Sequence, residues 1–226
     1  RINGDYELKL EVLDQAGNTT PAAIIPVTVY NIAINNAAAS DAIFSPNQDG
    51  SEDTTRITAS ITTIADWTIT FTNSSSQTVK TVSAHAPTVD YTWNGRDESN
   101  TQVPDGTYTW TITATDPVTS SSANPVSGNL KVDTVIDTAQ IIAPISGANL
   151  TGTIVIKGLA NDSNFVYYQI FYRKIGVNNW TALSFTQTPA VLDAFGNPPS
   201  IFSWNTSQRI NGDYELKLEV LDQAGN

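Results

Sequence analysis

Cysteine is absent from the sequence, which excludes disulfides, zinc–thiolate sites and thiol catalysis, without assigning a compartment. Methionine is absent too, so no flexible thioether fills gaps in the core, as suits rigid strands. There is one histidine, His85, in a short stretch beside Pro87. Any Ser-His-Asp arrangement would have to use it, and no serine sits in a nucleophile motif. Basic residues number 11 against 22 acidic, a net charge of −11. That balance argues against nucleic acid, whose phosphates need basic surface, and suits a self-repelling extracellular chain or one that recruits cations. No run approaches the ~18 apolar residues of a membrane-spanning helix, so no membrane insertion is expected of this segment. No stretch keeps a 3.6-residue apolar period, and no long helix is expected.

What the chain has is a repeat. Arg1–Asn18 and Arg209–Asn226 are the same 18 letters, RINGDYELKLEVLDQAGN, offset by 209 − 1 = 208 residues. Identity that extends to solvent-facing letters is the mark of a tandem array, and the chain reads as one 208-residue period plus an overlap. With no initiator Met and a first residue inside a domain, it is expected to be part of something larger. Within the repeat, Tyr214, Leu216, Leu218 and Val220 alternate with Asp213, Glu215, Lys217 and Glu219. Period two predicts a half-buried strand, bounded by turns at Asn211-Gly212 and Asp222–Asn226.

Strand-like segments divided by Gly, Pro, Asn and Asp run the length of the chain. Residues 1–34 read as the last strands of a preceding domain plus linker, with Ile24–Tyr30 a strand and Asn31–Ala39 linker-like. Residues 35–137 hold seven candidate strands: 42–44, 54–63, 67–72, 78–83, 89–93, 107–115 and 126–132. Residues 138–226 hold six: 140–142, 152–160, 166–174, 180–185, 201–204 and 213–221. This predicts an all-β chain of two tandem immunoglobulin-like β-sandwiches, all antiparallel or nearly so. The second lacks its last strand, whose equivalent is Ile24–Tyr30 one period earlier.

Both sandwiches carry one signature. Trp93-Asn94 precedes Gly106-x-Tyr108 and Asp116, and Trp204-Asn205 precedes Gly212-x-Tyr214 and Asp222. Asp105-Gly106-Thr107-Tyr108 has the form of a tyrosine corner, with Trp110 and Leu216 where antibody domains place a cysteine. Phe44-Ser-Pro-Asn-Gln-Asp-Gly-Ser-Glu-Asp53, Trp93-Asn-Gly-Arg-Asp97 and Val103-Pro-Asp-Gly-Thr-Tyr108 resemble the Ig-like domain of flagellar hook-capping proteins and of gliding-motility-associated C-terminal domains. Residues 138–226 are similar to Ig-like repeats of bacterial surface proteins. The resemblance implies a spacer, stalk or adhesive module at the cell surface, and no particular ligand.

Three places could carry chemistry. Asn47, Asp49, Ser51 and Asp53 partly imitate the alternating oxygen ligands of a calcium loop, and sandwich topology would bring Asp97 near them. The alternative is a side-chain-capped turn without an ion. Tyr167 and Phe171, with Trp180, would form an outward aromatic face that binds glycan or protein or packs on a neighbouring domain. Third, the unfinished sandwich exposes a strand edge, and Ile24, Val27 and Val29 would close it. That strand comes either from the next period of the same polypeptide or from a neighbouring copy. Six N-glycosylation sequons follow from the Asn/Ser/Thr-rich composition. The expected function is a structural repeat of an extracellular protein (stalk, sheath or filament) whose partners are neighbouring copies. An adhesin module and an accessory of a secreted enzyme are the alternatives.

Overall fold

The structure is a computed structural model and describes residues 4–20 and 23–226. Among the described residues there is no α-helix, and one 3-10 turn at Thr206–Gln208. Close packing divides them into two compact units. One is the described part of Arg1–Ala42 with Thr55–Leu130, and the other is Ile43–Thr54 with Lys131–Asn226.

The chain opens with an isolated antiparallel ribbon, β1 (Gly4–Leu10) and β2 (Ala23–Val29). Tyr6 lies opposite Val27, Leu8 opposite Ile25 and Leu10 opposite Ala23. Among the described residues, no further strand joins this ribbon. Tyr6, Leu8 and Leu10 are 43%, 59% and 65% exposed, although the alternation of β1 is that of a strand built to bury one face.

The first sandwich contains β3 (Ile34–Ala39), β4 (Ile43–Phe44), β5 (Thr55–Asn73), β6 (Thr78–Trp93), β7 (Gly106–Thr115) and β8 (Val126–Val132). The sheet runs β3-β5-β7-β8-β4, and β6 pairs with β5. β5 and β6 run alongside each other over nearly their whole length, with shifts of register between Ser60 and Ala65 and between Phe71 and Thr72. Their pairing is interrupted between Ser60 and Ala65, with Thr55–Ser60 facing Thr88–Trp93 before the interruption and Ala65–Thr72 facing Thr78–Ala86 after it. The four strands expected at 54–63, 67–72, 78–83 and 89–93 are therefore two long ones. Ile64-Ala65-Asp66 has no glycine or proline to end a strand, and Pro87 is tolerated because β6 pairs on one side only. Asn31–Ala39, expected to be linker, contains β3, which pairs with β5 through Ile34↔Ile61 and Ala39↔Ile57. Here tertiary pairing overrides the weak strand propensity of alanine and asparagine. The short β4 pairs in parallel with the end of β8, the exception to antiparallel order. Apolar positions two apart face inward: Ile57, Ala59 and Ile61; Trp67, Ile69 and Phe71; Tyr108, Trp110, Ile112 and Ala114.

The second sandwich has two three-stranded sheets, β13 (Ser200–Asn205)-β10 (Thr153–Asn161)-β9 (Thr138–Ala143) and β12 (Thr181–Thr186)-β11 (Phe165–Lys174)-β14 (Tyr214–Asp222). Ile156, Ala160, Tyr168, Ile170, Tyr172, Ile201 and Trp204 form the core, and Tyr214, Leu216, Leu218 and Val220 of β14 pack against it half-buried. Gly158 sits where β10 shifts register. A Cβ there would lie 2.5 Å from the Gln140 carbonyl oxygen, so the close approach of β10 to β9 requires glycine.

The shared signature has one structural meaning in both sandwiches. The Tyr108 hydroxyl donates to the Pro104 carbonyl at 2.7 Å, and the Tyr214 hydroxyl donates to the Ile210 carbonyl at 2.7 Å. Each corner tyrosine meets the signature tryptophan edge-on, Tyr108 on Trp93 at 5.4 Å and Tyr214 on Trp204 at 6.1 Å. Trp93 is fully buried and stacks on Phe71 at 4.4 Å. The tryptophan and the corner thus lock the starts of β7 and β14 to the core.

Candidate functional site

The loop Asn47–Asp53 is held by its own side chains. The Asp53 carboxylate accepts the N–H groups of Gln48 (2.6 Å) and Gly50 (2.9 Å). Asp49 accepts from the Ser51 N–H at 2.8 Å and from the Asn47 side-chain amide at 3.0 Å, while the Asn47 carbonyl oxygen accepts from the Asp49 N–H at 3.0 Å. Oxygens of Asn47, Asp49 and Asp53 are turned onto backbone donors, the arrangement of a capped turn. Asp97 belongs to the other compact unit and caps its own turn, accepting the N–H groups of Ser99 and Thr101.

A different acidic group is assembled by the fold. The carboxylates of Asp133, Asp162 and Asp222 lie within 4.8 Å of one another, and all three residues are buried. Asp133 follows β8, Asp162 follows β10 and Asp222 ends β14. The Asp133 carboxylate accepts from Lys131 Nζ at 2.9 Å and from the Asn164 side-chain amide. Asp162 accepts the N–H groups of Asn164 (2.6 Å) and Asp137 (3.1 Å). Asp222 accepts those of Ala224 (2.9 Å) and Asn226 (2.8 Å). Asn226 ties the group together, its side-chain N–H₂ reaching the Asp133 carbonyl at 2.8 Å while its side-chain oxygen accepts from Ser45 Oγ at 2.6 Å. These three carboxylates are spaced to serve as oxygen ligands of a divalent cation, and Lys131 is the cation in direct contact. Their positions, 133, 162 and 222, carry no common motif. The one hint in the sequence was the Asp-x-x-Gly-Asn ending of the repeat.

The outward face of β11 is half-covered by cations. Lys217 Nζ lies 4.9 Å from the Phe171 ring and 4.7 Å from the Trp180 ring, and the Arg173 guanidinium lies 4.4 Å over Trp180. Tyr167 packs on Phe185 at 5.0 Å. Phe171 and Trp180 are thus joined through Lys217, with Tyr167 beside a different neighbour. Tyr168, Ile170 and Tyr172 point into the core as the alternation requires. His85 lies on β6 opposite Asp66, with its Nδ1 2.7 Å from the carboxylate, and both are exposed.

The strand edge is the fourth place. Among the described residues, β14 pairs with β11 on one side and has no strand on the other. A groove of about 1020 Å³ is lined by Tyr214–Lys217 of β14, by Arg173 and Trp180, and by Ile141 and Pro144. Of the residues expected to close such an edge, Val27 and Val29 share one face of β2. Ile24 lies opposite Lys9 on the other face, and Ile25 is the residue beside Val27.

Residues 44–117 match the family model for the FlgD Ig-like domain, the region that carries the hook-capping resemblance. Among solved structures, the chain is similar to the FN1–FN3 domains of chicken CNTN1 (11% identity, 98% of this chain, 73% of that one, TM-score 0.36). It is also similar to a tetra-tandem repeat in the extending region of a large adhesion protein (18% identity, 100% of this chain, TM-score 0.32), of which it spans 54%. None of the curated proteins matches the sequence. The fold is that of tandem immunoglobulin-like β-sandwiches.

Proposed function

We propose that the chain is a structural repeat of a large extracellular protein, in which successive sandwiches supply length and carry tension. The observation that bears most weight is the 18-residue identity between Arg1–Asn18 and Arg209–Asn226, which makes β1 and β14 the same strand one period apart. Each sandwich is held by its own buried tryptophan and corner tyrosine, as modules that fold separately and are loaded in series should be. In this reading the calcium expected of the acidic loops binds at Asp133, Asp162 and Asp222. Their mutual spacing and burial, with a single lysine in contact, support that choice over the Asn47–Asp53 loop, whose oxygens are engaged on backbone.

Force spectroscopy on a concatenated chain tests the reading. The expected trace is a series of unfolding peaks, each releasing roughly 300–350 Å for a sandwich of about 90–100 residues at ~3.4 Å per residue. Calcium should raise the second sandwich's unfolding force relative to chelator, and Asp162→Asn should remove that difference. Featureless extension would contradict the mechanical role. The adhesin alternative rests on the half-exposed Phe171–Trp180 face, and saturable binding on a glycan array, lost in Trp180→Ala, would favour it.

A further inference from the structure

We propose that the cleft between β12 and β13 of the second sandwich binds an acidic sugar, a uronate whose carboxylate is held by Arg209 and one of whose hydroxyls accepts from Trp204. The site goes beyond the repeat reading above and does not depend on it. Among the described residues, β12 and β13 are the outermost strands of their sheets, on the side away from β14 and β9. The cleft holds about 420 Å³, within the range of small-molecule sites, about 300–1,000 Å³.

The signature tryptophan supplies the first reason. In the first sandwich, Trp93 donates its Nε1–H to the Arg96 carbonyl, three residues on, at 3.0 Å. Trp204 holds the same place in the signature, three residues before Ser207. There the chain turns differently. Thr206–Gln208 is a 3-10 turn, capped by the Asn205 side chain, which accepts the Ser207 N–H at 3.0 Å. The Thr206 hydroxyl ties the turn to the Gly152 carbonyl at 2.7 Å. Trp204 is 3% exposed, and its Nε1 has no hydrogen-bond partner. A buried donor left unbonded is costly. Trp204 lines the cleft, so an oxygen brought there by a ligand would satisfy it.

Arg209 supplies the second. It follows the turn directly, its backbone N–H bonded to the Thr206 carbonyl at 2.9 Å, and its guanidinium lies 4.8 Å over the Tyr172 ring. Stacking fixes the plane of the guanidinium and leaves its N–H edge for a carboxylate, which accepts two parallel bonds. Arg173 and Lys217 of the same sandwich are paired with Glu215 and Glu219, whereas Arg209 has no ion pair among the described residues. In a chain of net charge −11, an unpaired arginine beside a buried donor selects a small anion. The rest of the lining says which kind. Phe202 offers an apolar wall to the face of a sugar ring, while Thr181, Ser203 and Gln208 offer hydroxyls and an amide to its hydroxyl groups. A uronate combines the carboxylate, the ring and the hydroxyls in one residue.

Titration of the full chain with D-glucuronate and D-galacturonate, followed by NMR at the Trp204 indole N–H, tests the proposal. D-glucose and D-galactose are the uncharged counterparts, at constant ionic strength. Full-chain variants Arg209→Gln and Gln208→Glu change exposed residues of the cleft, Trp180→Ala changes a residue outside it, and circular dichroism checks that each keeps its sandwiches. The expected result is a saturable shift of the Trp204 resonance with at least one uronate, about tenfold weaker with the neutral sugars. Arg209→Gln should bring uronate binding down to the neutral level, and Gln208→Glu should abolish it by placing a like charge in the cleft. Trp180→Ala should leave it unchanged, which separates this site from the Phe171–Trp180 face. A resonance unmoved by either uronate, neutral sugars that bind as tightly, or uronate affinity intact in Arg209→Gln overturns the proposal. So does a tetraglutamate peptide that moves the resonance as strongly as the uronates, because the cleft then reads charge alone and takes a protein segment. The force experiment involves neither Arg209 nor Trp204 as a ligand, so the two readings fail separately.

Discussion

Tyr108 and Tyr214 show how much a single residue can fix. Each hydroxyl reaches back four residues to a backbone carbonyl at 2.7 Å, a bond legible in advance from Gly-x-Tyr after a Trp-Asn turn. Tyr108→Phe and Tyr214→Phe should each lower stability by about 1 kcal/mol, read from the urea midpoint with unchanged slope. The Asp-x-x-Gly-Asn turns are a second recurring device. Asp14 and Asp193 each accept N–H groups within their own turn, Asn18 and Asn197 among the donors. The Asn18 side chain foremost, and for Asp193 the Asn197 backbone N–H foremost, hold these carboxyls below the usual aspartate value. Asp116 is lowered chiefly by the Tyr30 hydroxyl, and Tyr30 is raised in turn by Asp116. The signs follow from linkage. The aspartates' contribution is complete above their unfolded value near ~3.9 and fades as pH falls through the lower folded value. That of Tyr30 is complete below its unfolded value near ~10 and fades as pH rises through the higher folded one. Carboxyl NMR titration should give Asp14, Asp116 and Asp193 midpoints below those of matching free peptides. Asp116→Asn should return the Tyr30 titration toward that of free tyrosine. The buried Asp133, Asp162 and Asp222 were not legible in this way. Each looks like an ordinary turn residue, and only the folding of three distant segments brings them within 4.8 Å.

At the scale of elements, strands with strict alternation were readable and those shaped by their neighbours were not. β8 and the body of β7 follow their apolar period, as do β10, β11 and β14. β3 has no such period, because it is an edge strand of alanine and asparagine held by pairing to β5. The register shift between Ser60 and Ala65 hid the continuity of β5 and β6, since a break in alternation looks like a loop when it is an irregularity within one strand. Two of the glycines at close approaches, Gly128 and Gly158, report packing that composition cannot. A Cβ on Gly128 would lie 2.4 Å from the Trp110 ring, and one on Gly158 would meet the β9 backbone. Gly158→Ala should destabilise the second sandwich by about 1–3 kcal/mol, because a backbone carbonyl has less room to yield than a side-chain end. Thermal unfolding should show the second sandwich shifted and the first unchanged.

For the molecule as a whole, the repeat gives the account its order. The net charge of −11 makes the chain self-repelling over long range. The central claim is that β14 is an edge strand, paired with β11 alone among the described residues, where β7 has a partner on both sides. Residue-resolved hydrogen exchange on dilute, monomeric chain tests it most directly. The account predicts strong protection along Gly106–Thr115, where both edges are paired. Along Tyr214–Asp222 it predicts an alternating pattern, amides bonded to β11 exchanging slowly and those on the free edge exchanging fast. Uniform slow exchange along β14 in the monomer would contradict the account, because the edge would already be occupied.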